Sequence, residues 1–213
     1  TAIVEKEVDL FYFGLTASAS MDALSFWGTL VLETGDVESA VAGVSDQDVS
    51  ATAFYGGGSF DLGSFDIHGT FIYGSGDDSA LDNDIDAFIA PGGASVYWAE
   101  ILGWGTFDQI GTPVTTDQVT NLVAYNIGSS FAVTDAVSVS LDLWIAKLAE
   151  DNAAGDDDLG TELDVSIGYQ LIEGLNLDVV AAYLWTGDAL YKGTAAVPQE
   201  DALELGARLS LSF

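Results

Sequence analysis

The C-terminal residues 203 to 213 alternate strictly between apolar and polar side chains and end on an aromatic residue. Successive side chains of a strand point to opposite faces, so this segment has one apolar and one polar face. The apolar face comprises Leu203, Leu205, Ala207, Leu209, Leu211 and Phe213. A segment of about ten residues with this pattern fits a soluble edge strand or a tilted strand of an outer-membrane barrel.

The recurrence of this alternation favours the membrane interpretation. Seven further segments show it: Phe11–Ala19, Leu24–Leu32, Phe65–Tyr73, Val123–Val133, Val137–Ile145, Leu163–Leu171 and Leu175–Trp185. The Gly-rich stretch 49–62 alternates less clearly but is long enough to form a strand. The sequence therefore predicts nine strands in an all-β, antiparallel, up-and-down transmembrane β-barrel.

The connections between these segments alternate in length. Short turns are predicted at Asp22-Ala23, Gly63-Ser64, Thr134-Asp135-Ala136 and Glu173-Gly174, and long acidic loops near 35–48, 75–120, 149–160 and 187–202. Short turns on one rim and long loops on the other are typical of bacterial outer-membrane barrels. Residues 1–213 are interpreted as a single barrel domain. Because bacterial barrels generally have an even number of strands, nine strands are expected to be the C-terminal part of a larger barrel. The alternative is a tenth strand within the 75–120 segment.

The composition agrees with spanning strands. Apolar residues make up 49% of the chain and mean hydropathy is +0.31, yet they are spread in alternation. No uninterrupted run of about 18 apolar residues is present to form a membrane helix. The absence of cysteine fits an exported protein without disulfides. The predicted location is the bacterial outer membrane, with its lipid as the surrounding partner.

Several segments resemble one family of barrels. They are 94–103 (ASVYWAEILG), 143–151 (LWIAKLAED), 157–164 (DDLGTELD), 173–178 (EGLNLD) and the terminal Leu-Ser-Leu-Ser-Phe. Together they resemble the C-terminal half of outer-membrane porins of the alginate-export-like group. The terminal Phe strand is similar to the signal that the barrel assembly machinery reads, which implies that machinery as a partner. The basic lumen that alginate export requires is missing, which puts polyanion transport in doubt.

The charge balance restricts the partners. Four Lys and Arg residues stand against 34 Asp and Glu residues, a formal net charge of −30. Nucleic acid and anionic headgroups both require positive patches, so no nucleic-acid partner is expected. The acidity has two readings that the sequence leaves open, a solvated rim or a surface that attracts cations toward a pore.

Strand parity predicts which polar side chains line a pore. The predicted pore-lining residues are Asp66, His68, Asp142, Glu162, Asp164, Asp178, Glu204 and Arg208. Carboxylates along a wet passage raise the local cation concentration. The primary prediction is a porin, not an enzyme, that passes small hydrophilic solutes passively with weak cation selectivity. An equally plausible role for Arg208 is to pair across strands with Glu204 or Glu162.

The long 75–120 segment is the predicted constriction loop, since loops of this length are often functional. Its centre is aromatic and apolar, so it requires burial, and folding into the lumen would place Asp86, Glu100 and Asp108 in the channel. Packing against a neighbouring subunit, as in a homotrimer, or over the mouth would bury it equally well. A plugged barrel that anchors or sheathes a partner is the alternative function, and a soluble all-β surface protein is the third.

Aromatic residues at strand ends predict two membrane girdles. Tyr73, Tyr183 and Trp185 belong to the outer one, and Tyr169 and Phe213 to the inner one. No catalytic residue, cofactor or metal site is predicted, because the single His68 has only Asp66 near it in sequence and cysteine is absent.

Overall fold

The computed structural model describes residues 8–38, 45–79, 82–91, 96–103, 105–106, 118–192, 194 and 198–213. Strands are the main secondary structure of these residues. The strands are β1 (Val8–Met21), β2 (Leu24–Val37), β3 (Gln47–Asp61), β4 (Phe65–Gly74), β5 (Asp84–Ile85), β6 (Leu122–Thr134), β7 (Val137–Lys147), β8 (Asp158–Ile172), β9 (Leu175–Thr186) and β10 (Ala202–Leu211). Among these residues, no helix is long and apolar enough to cross a membrane.

All ten strands belong to one sheet with up-and-down topology. Its order is β1-β2-β3-β4-β6-β7-β8-β9-β10, and every neighbouring pair on this path is antiparallel. The two-residue β5 lies off the path and pairs in parallel with β3. The predicted all-β antiparallel fold and its nine long strands are confirmed, and β5 is the additional one. The sheet is not closed, and β1 and β10 are its two edges.

Short and long connections lie at opposite ends of the sheet, as the sequence predicts. Short turns join β1 to β2, β3 to β4, β6 to β7 and β8 to β9 at one end of the sheet. Asp22 (φ 51°) and Gly174 (φ 79°) occupy the left-handed region in two of them, a backbone conformation that tight turns require. The long connections therefore lie together at the other end.

One face of the sheet is exposed and apolar. Leu15 and Leu205 are each 71% exposed and Ile127 is 62% exposed. The apolar side chains of the other alternating segments lie on the same face, because the register aligns them across all nine long strands. Apolar patches larger than about a few hundred Å² are rare on soluble monomers and mark membrane or partner surfaces.

The opposite face, called the covered face below, changes character along its length. Near the long connections it is apolar, and its buried residues include Ala51, Ala53, Ile72, Leu122, Ala124, Trp144, Ala146 and Leu184. Near the short turns it is polar, with Ser59, Asp61, Asp66, His68, Ser130 and Ser138. The apolar half is where described residues of the chain between β4 and β6 (residues 75–121) pack against the sheet.

Candidate functional site

The 75–121 segment, called the insertion below, supplies apolar side chains to the covered face. Phe88, Trp98 and Leu102 are at most 5% exposed. The Trp98 and Trp144 rings meet edge to face with centroids 5.4 Å apart at 72°. Edge-to-face aromatic pairs contribute about 0.5–1.5 kcal/mol beyond the area they bury. The described part of the insertion is thus held to the sheet by an apolar core.

Carboxylates of the sheet also accept hydrogen bonds from backbone amides of the insertion. Glu162 on β8, fully buried, accepts from the N–H of Ile101 (2.7 Å) and of Leu102 (2.8 Å), one at each oxygen. On β2, Glu33 Oε2 accepts from the Ile89 N–H at 2.8 Å. Hydrogen bonds to charged acceptors are shorter and stronger than neutral ones. These side chains satisfy amides that would otherwise be buried without partners.

Tyrosines provide a third set of anchors. Tyr12 OH donates to the Ile89 carbonyl (3.0 Å), and Tyr55 OH donates to the Tyr97 carbonyl (3.3 Å). Within the insertion, Tyr97 OH donates to Glu100 Oε1 at 2.7 Å. Burial, together with the neighbouring Glu100 carboxylate, raises the pKa of Tyr97 above its ordinary value. Tyr97 therefore remains a neutral hydrogen-bond donor at physiological pH.

The covered face bears several cavities, and two of them share lining residues. The rim cavity, about 660 Å³, lies near the short turns and is lined by residues that include Asp22, Ser25, Ser59, Asp61 and Asp66. The inner cavity, about 300 Å³, lies between the insertion and the sheet, with Tyr97, Trp98, Asp142 and Asp164 among its lining residues. His68 and Ser130 line both cavities. These two residues mark the junction between the two spaces.

At this junction His68 lies between two carboxylates. Its Nδ1 is 2.7 Å from Asp66 Oδ1, and its Nε2 is 2.8 Å from Asp142 Oδ1. Because carboxylate oxygens accept, both ring nitrogens donate only in the doubly protonated, positively charged imidazole. Asp142 also accepts from Asn126 (3.0 Å) and Ser140 (2.7 Å). Both ring nitrogens are therefore held against carboxylates, which fixes the ring in place.

Gly128 on β6 permits this arrangement. A Cβ at this position would collide with both Asp142 Oδ1 and His68 Nε2. The register pairs Gly128 with His68 on β4 and with Asp142 on β7. A glycine between the two is therefore required for their side chains to meet across β6.

All eight residues predicted to line a pore lie on the covered face, but in different surroundings. Asp66, His68, Asp142 and Asp164 line the cavities, whereas Glu162 is fully buried under the insertion. Arg208 has a partner that the sequence analysis did not name. Its guanidinium contacts Asp178 at 3.2 Å, because the register sets these two directly opposite on β10 and β9. Glu204 is opposite Ala182.

Glu100 and Asp86, two of the residues predicted for the constriction, lie in different surroundings. Glu100 is 3% exposed and lines the inner cavity. Asp86 lies instead beside the carboxylates of Asp78 and Asp84, and partial burial together with these charges raises the pKa of Asp86. Asp108 lies outside the described residues.

The predicted girdle residues lie on the exposed side of the sheet. Tyr183 and Trp185 form an edge-to-face pair with centroids 4.9 Å apart, and Tyr73 lies at the same end, two strand residues from the insertion. Tyr169 is 41% exposed near the opposite end, and Phe213 follows β10. The girdles themselves stay a prediction, which places aromatic side chains near both strand ends.

Some anchoring residues were not identified from the sequence. Glu33 is 2% exposed. Tyr12 and Tyr55 donate hydrogen bonds to backbone carbonyls of the insertion. Strand parity does assign them to the face opposite Phe13, Leu32 and Phe54. Nothing in the sequence identifies their partners, however, because Tyr12 and Ile89 are 77 residues apart.

Comparison with known proteins supports the fold alone. No protein-family model matches the chain, and no curated protein matches it. Among solved structures, it is similar to OccK11 (OpdR) of Pseudomonas aeruginosa, with TM-score 0.51 and 13% identity over 95% of this chain and 49% of that one. It is also similar to a loop-deletion mutant of OmpT, an outer membrane protein of Vibrio cholerae, with TM-score 0.47 and 14% identity over 95% and 53%.

The chain spans about half the length of these structures. Its fold is that of a bacterial outer-membrane β-barrel, with the sheet open at β1 and β10. The exposed apolar face and this fold agree with the bacterial outer-membrane location that the sequence predicts.

Proposed function

We propose that the protein is an outer-membrane porin through which small hydrophilic solutes diffuse passively, with a weak preference for cations. The observation that carries this proposal is the polar half of the covered face, where the rim and inner cavities meet at His68 and Ser130. Opposite the lipid-facing stripes, such a surface lines the lumen of a barrel.

The charges on this face support the cation preference. Carboxylates of Asp22, Asp61 and Asp66 line the rim cavity, and those of Glu100, Asp142 and Asp164 line the inner one. Among the residues described as lining either cavity, His68 is the one basic side chain, and it is held between two of these carboxylates. Acidic linings attract cations and repel anions.

The insertion forms the constriction in this proposal. Its apolar core fills the apolar half of the covered face, and the cavity volume is about 660 Å³ at the rim and about 300 Å³ beneath the insertion. Glu100 would then lie in the channel wall, and Asp86 near the mouth.

One observation favours a second candidate, a structural barrel with a plugged lumen that anchors or sheathes a partner. The buried carboxylates Glu33 and Glu162 fix the insertion firmly. A firmly anchored segment suits a permanent plug as well as a constriction.

Three further assignments are part of the same proposal: the family, recognition by the assembly machinery and the oligomeric state. Membership of the alginate-export-like group stays a prediction, since no family model matches. Recognition of the terminal Phe strand by the barrel assembly machinery and a trimeric state are likewise proposals. We propose no catalytic role for His68, because both its ring nitrogens are engaged by carboxylates.

The test is the reversal potential of the protein in a planar bilayer under a KCl gradient. The proposal predicts stable conductance steps and a reversal potential of cation-selective sign. Asp61→Asn with Asp66→Asn removes two charges from the rim cavity while keeping acceptor oxygens, so the potential should move toward zero. The control, Glu150→Gln with Asp151→Asn, removes two charges from the connection between β7 and β8 and should change nothing.

Two results would contradict the proposal. A protein that inserts but conducts no current would favour the plugged barrel. A conducting protein whose selectivity is equally affected by both double variants would show that the covered face does not set the selectivity.

A further inference from the structure

We propose that the inner cavity binds a small organic cation, an ammonium group carrying apolar substituents. This inference rests on the proposed function and names the class of solute that the passage retains. It is argued from the charge, burial and shape of the cavity between the insertion and strands β3 to β8.

The cavity has unbalanced negative charge. Glu100, Asp142 and Asp164 line it, and His68 is the basic side chain among the described lining residues. The charge of His68 is already matched by Asp66 and Asp142, 2.7 and 2.8 Å from its two nitrogens. The carboxylates of Glu100 and Asp164 therefore have no basic partner within the lining.

Asp164 is the side chain that points to a ligand. It is 7% exposed, its Oδ1 receives no hydrogen bond from an N–H or hydroxyl donor, and its Oδ2 receives only a long contact of 3.4 Å from the Glu100 N–H. Its carboxyl group also lies within hydrogen-bond reach of the Glu162 carboxyl group. The fully buried Glu162 lies beside it, with both oxygens used by the amides of Ile101 and Leu102. Buried carboxylates are strongly destabilising unless a positive charge or a proton balances them.

The lining suits a cation with an apolar body. Tyr55, Tyr97, Trp98 and Trp144 contribute aromatic surface beside the carboxylates. Aromatic faces attract ammonium groups, an effect of about 0.5–2 kcal/mol that grows with desolvation. A volume of about 300 Å³ lies at the lower end of ligand pockets, which span roughly 300–1,000 Å³.

A bare metal ion fits this lining less well. Across the ranges that the structure describes, no group of three or more His, Asp or Glu side chains is arranged to hold a metal. An ammonium group needs only one or two carboxylates, and its substituents fill the remaining space.

The experiment measures tryptophan fluorescence of the folded protein in detergent during titration with n-butylammonium. Trp98 and Trp144 line the cavity and report its occupancy. We expect a saturable change with n-butylammonium and none with n-butanol, a neutral molecule of similar shape. Asp164→Asn should weaken the apparent affinity at least tenfold. Asp178→Asn, which removes a carboxylate of the same face outside the cavity, should leave it unchanged.

A second variant guards against misfolding. Ser166→Leu fills the cavity from β8 without changing the charge, and it should also abolish the response while circular dichroism stays that of a β protein. The absence of a saturable response in the unmodified protein would overturn the inference and indicate that a shared proton balances Asp164. Equal binding by Asp164→Asn would overturn it as well.

Failure of this inference and failure of the proposed function are distinguishable. A cation-selective reversal potential in KCl without saturable n-butylammonium binding refutes the site and leaves the porin intact. Asp164-dependent binding in a protein that conducts no current supports the site and refutes the porin.

Discussion

Replacing Trp98 with alanine should loosen the insertion from the covered face. Trp98 is 2% exposed and packs edge to face on Trp144 at 5.4 Å. Truncating a buried tryptophan to alanine costs about 3–5 kcal/mol, because apolar contacts are lost and a cavity remains. Since about 1.4 kcal/mol is a factor of ten, the undocked state should become roughly 140- to 3,700-fold more populated.

Amide hydrogen exchange measures this population directly. The N–H groups of Ile101 and Leu102 donate to Glu162, so they exchange with solvent only when the insertion opens. Trp98→Ala should raise their exchange rates by the factor given above while amides in the centres of β6 and β7 stay protected. Trp185→Ala is the matched control, because Trp185 is 47% exposed on the opposite face. It should leave both amides unchanged.

Unchanged protection of Ile101 and Leu102 in Trp98→Ala would refute the reasoning. It would mean that the carboxylate anchors alone hold the insertion and that the Trp98–Trp144 contact contributes little. Exchange that rises equally in β6 and β7 would instead show that the insertion and the sheet open as one unit.

Two further predictions concern single residues. Gly128→Ala should separate His68 from Asp142, because the added Cβ occupies the space where they meet. The NMR signals of the His68 protons should therefore shift. The control Gly155→Ala, in an open turn, should leave these signals unchanged. Asp86 should titrate above its ordinary pKa because of partial burial and the charge of Asp78. The insertion is then more stable at acidic pH and loses this contribution as pH rises through the raised pKa. Asp78→Asn should lower that pKa, and an unchanged titration curve would contradict the electrostatic cause.

Much of the sheet was predictable because each long strand has one face in an apolar environment. The alternation Val137, Val139, Leu141, Leu143 and Ile145 fixes which side chains of β7 share a face, and antiparallel pairing with short turns then fixes the register. Parity alone therefore assigned Asp142 and Asp164 to the same face, where the structure pairs them directly.

The insertion was not predictable to the same degree. Its anchors depend on contacts between residues far apart in the chain, such as Glu33 with Ile89 and Glu162 with Ile101. No local pattern encodes such contacts. Parity also cannot distinguish a carboxylate beside a cavity, such as Asp142, from one buried under a loop, such as Glu162. The position of His68 between Asp66 and Asp142 depends on Gly128. The role of Gly128 is evident only once β4, β6 and β7 are side by side.

The central claim is that the covered face lines a water-filled passage and the opposite face contacts lipid. Ser129 and Ser130 are adjacent on β6 and lie on opposite faces, since Ser129 adjoins Ile127 and Leu141 whereas Ser130 lines both cavities. The chain contains no cysteine, so each serine can be replaced by a single cysteine and treated with a membrane-impermeant, positively charged thiol reagent during bilayer recording. We predict that Ser130→Cys loses conductance on treatment and Ser129→Cys does not. Loss in Ser129→Cys alone, or in neither variant, would contradict the account.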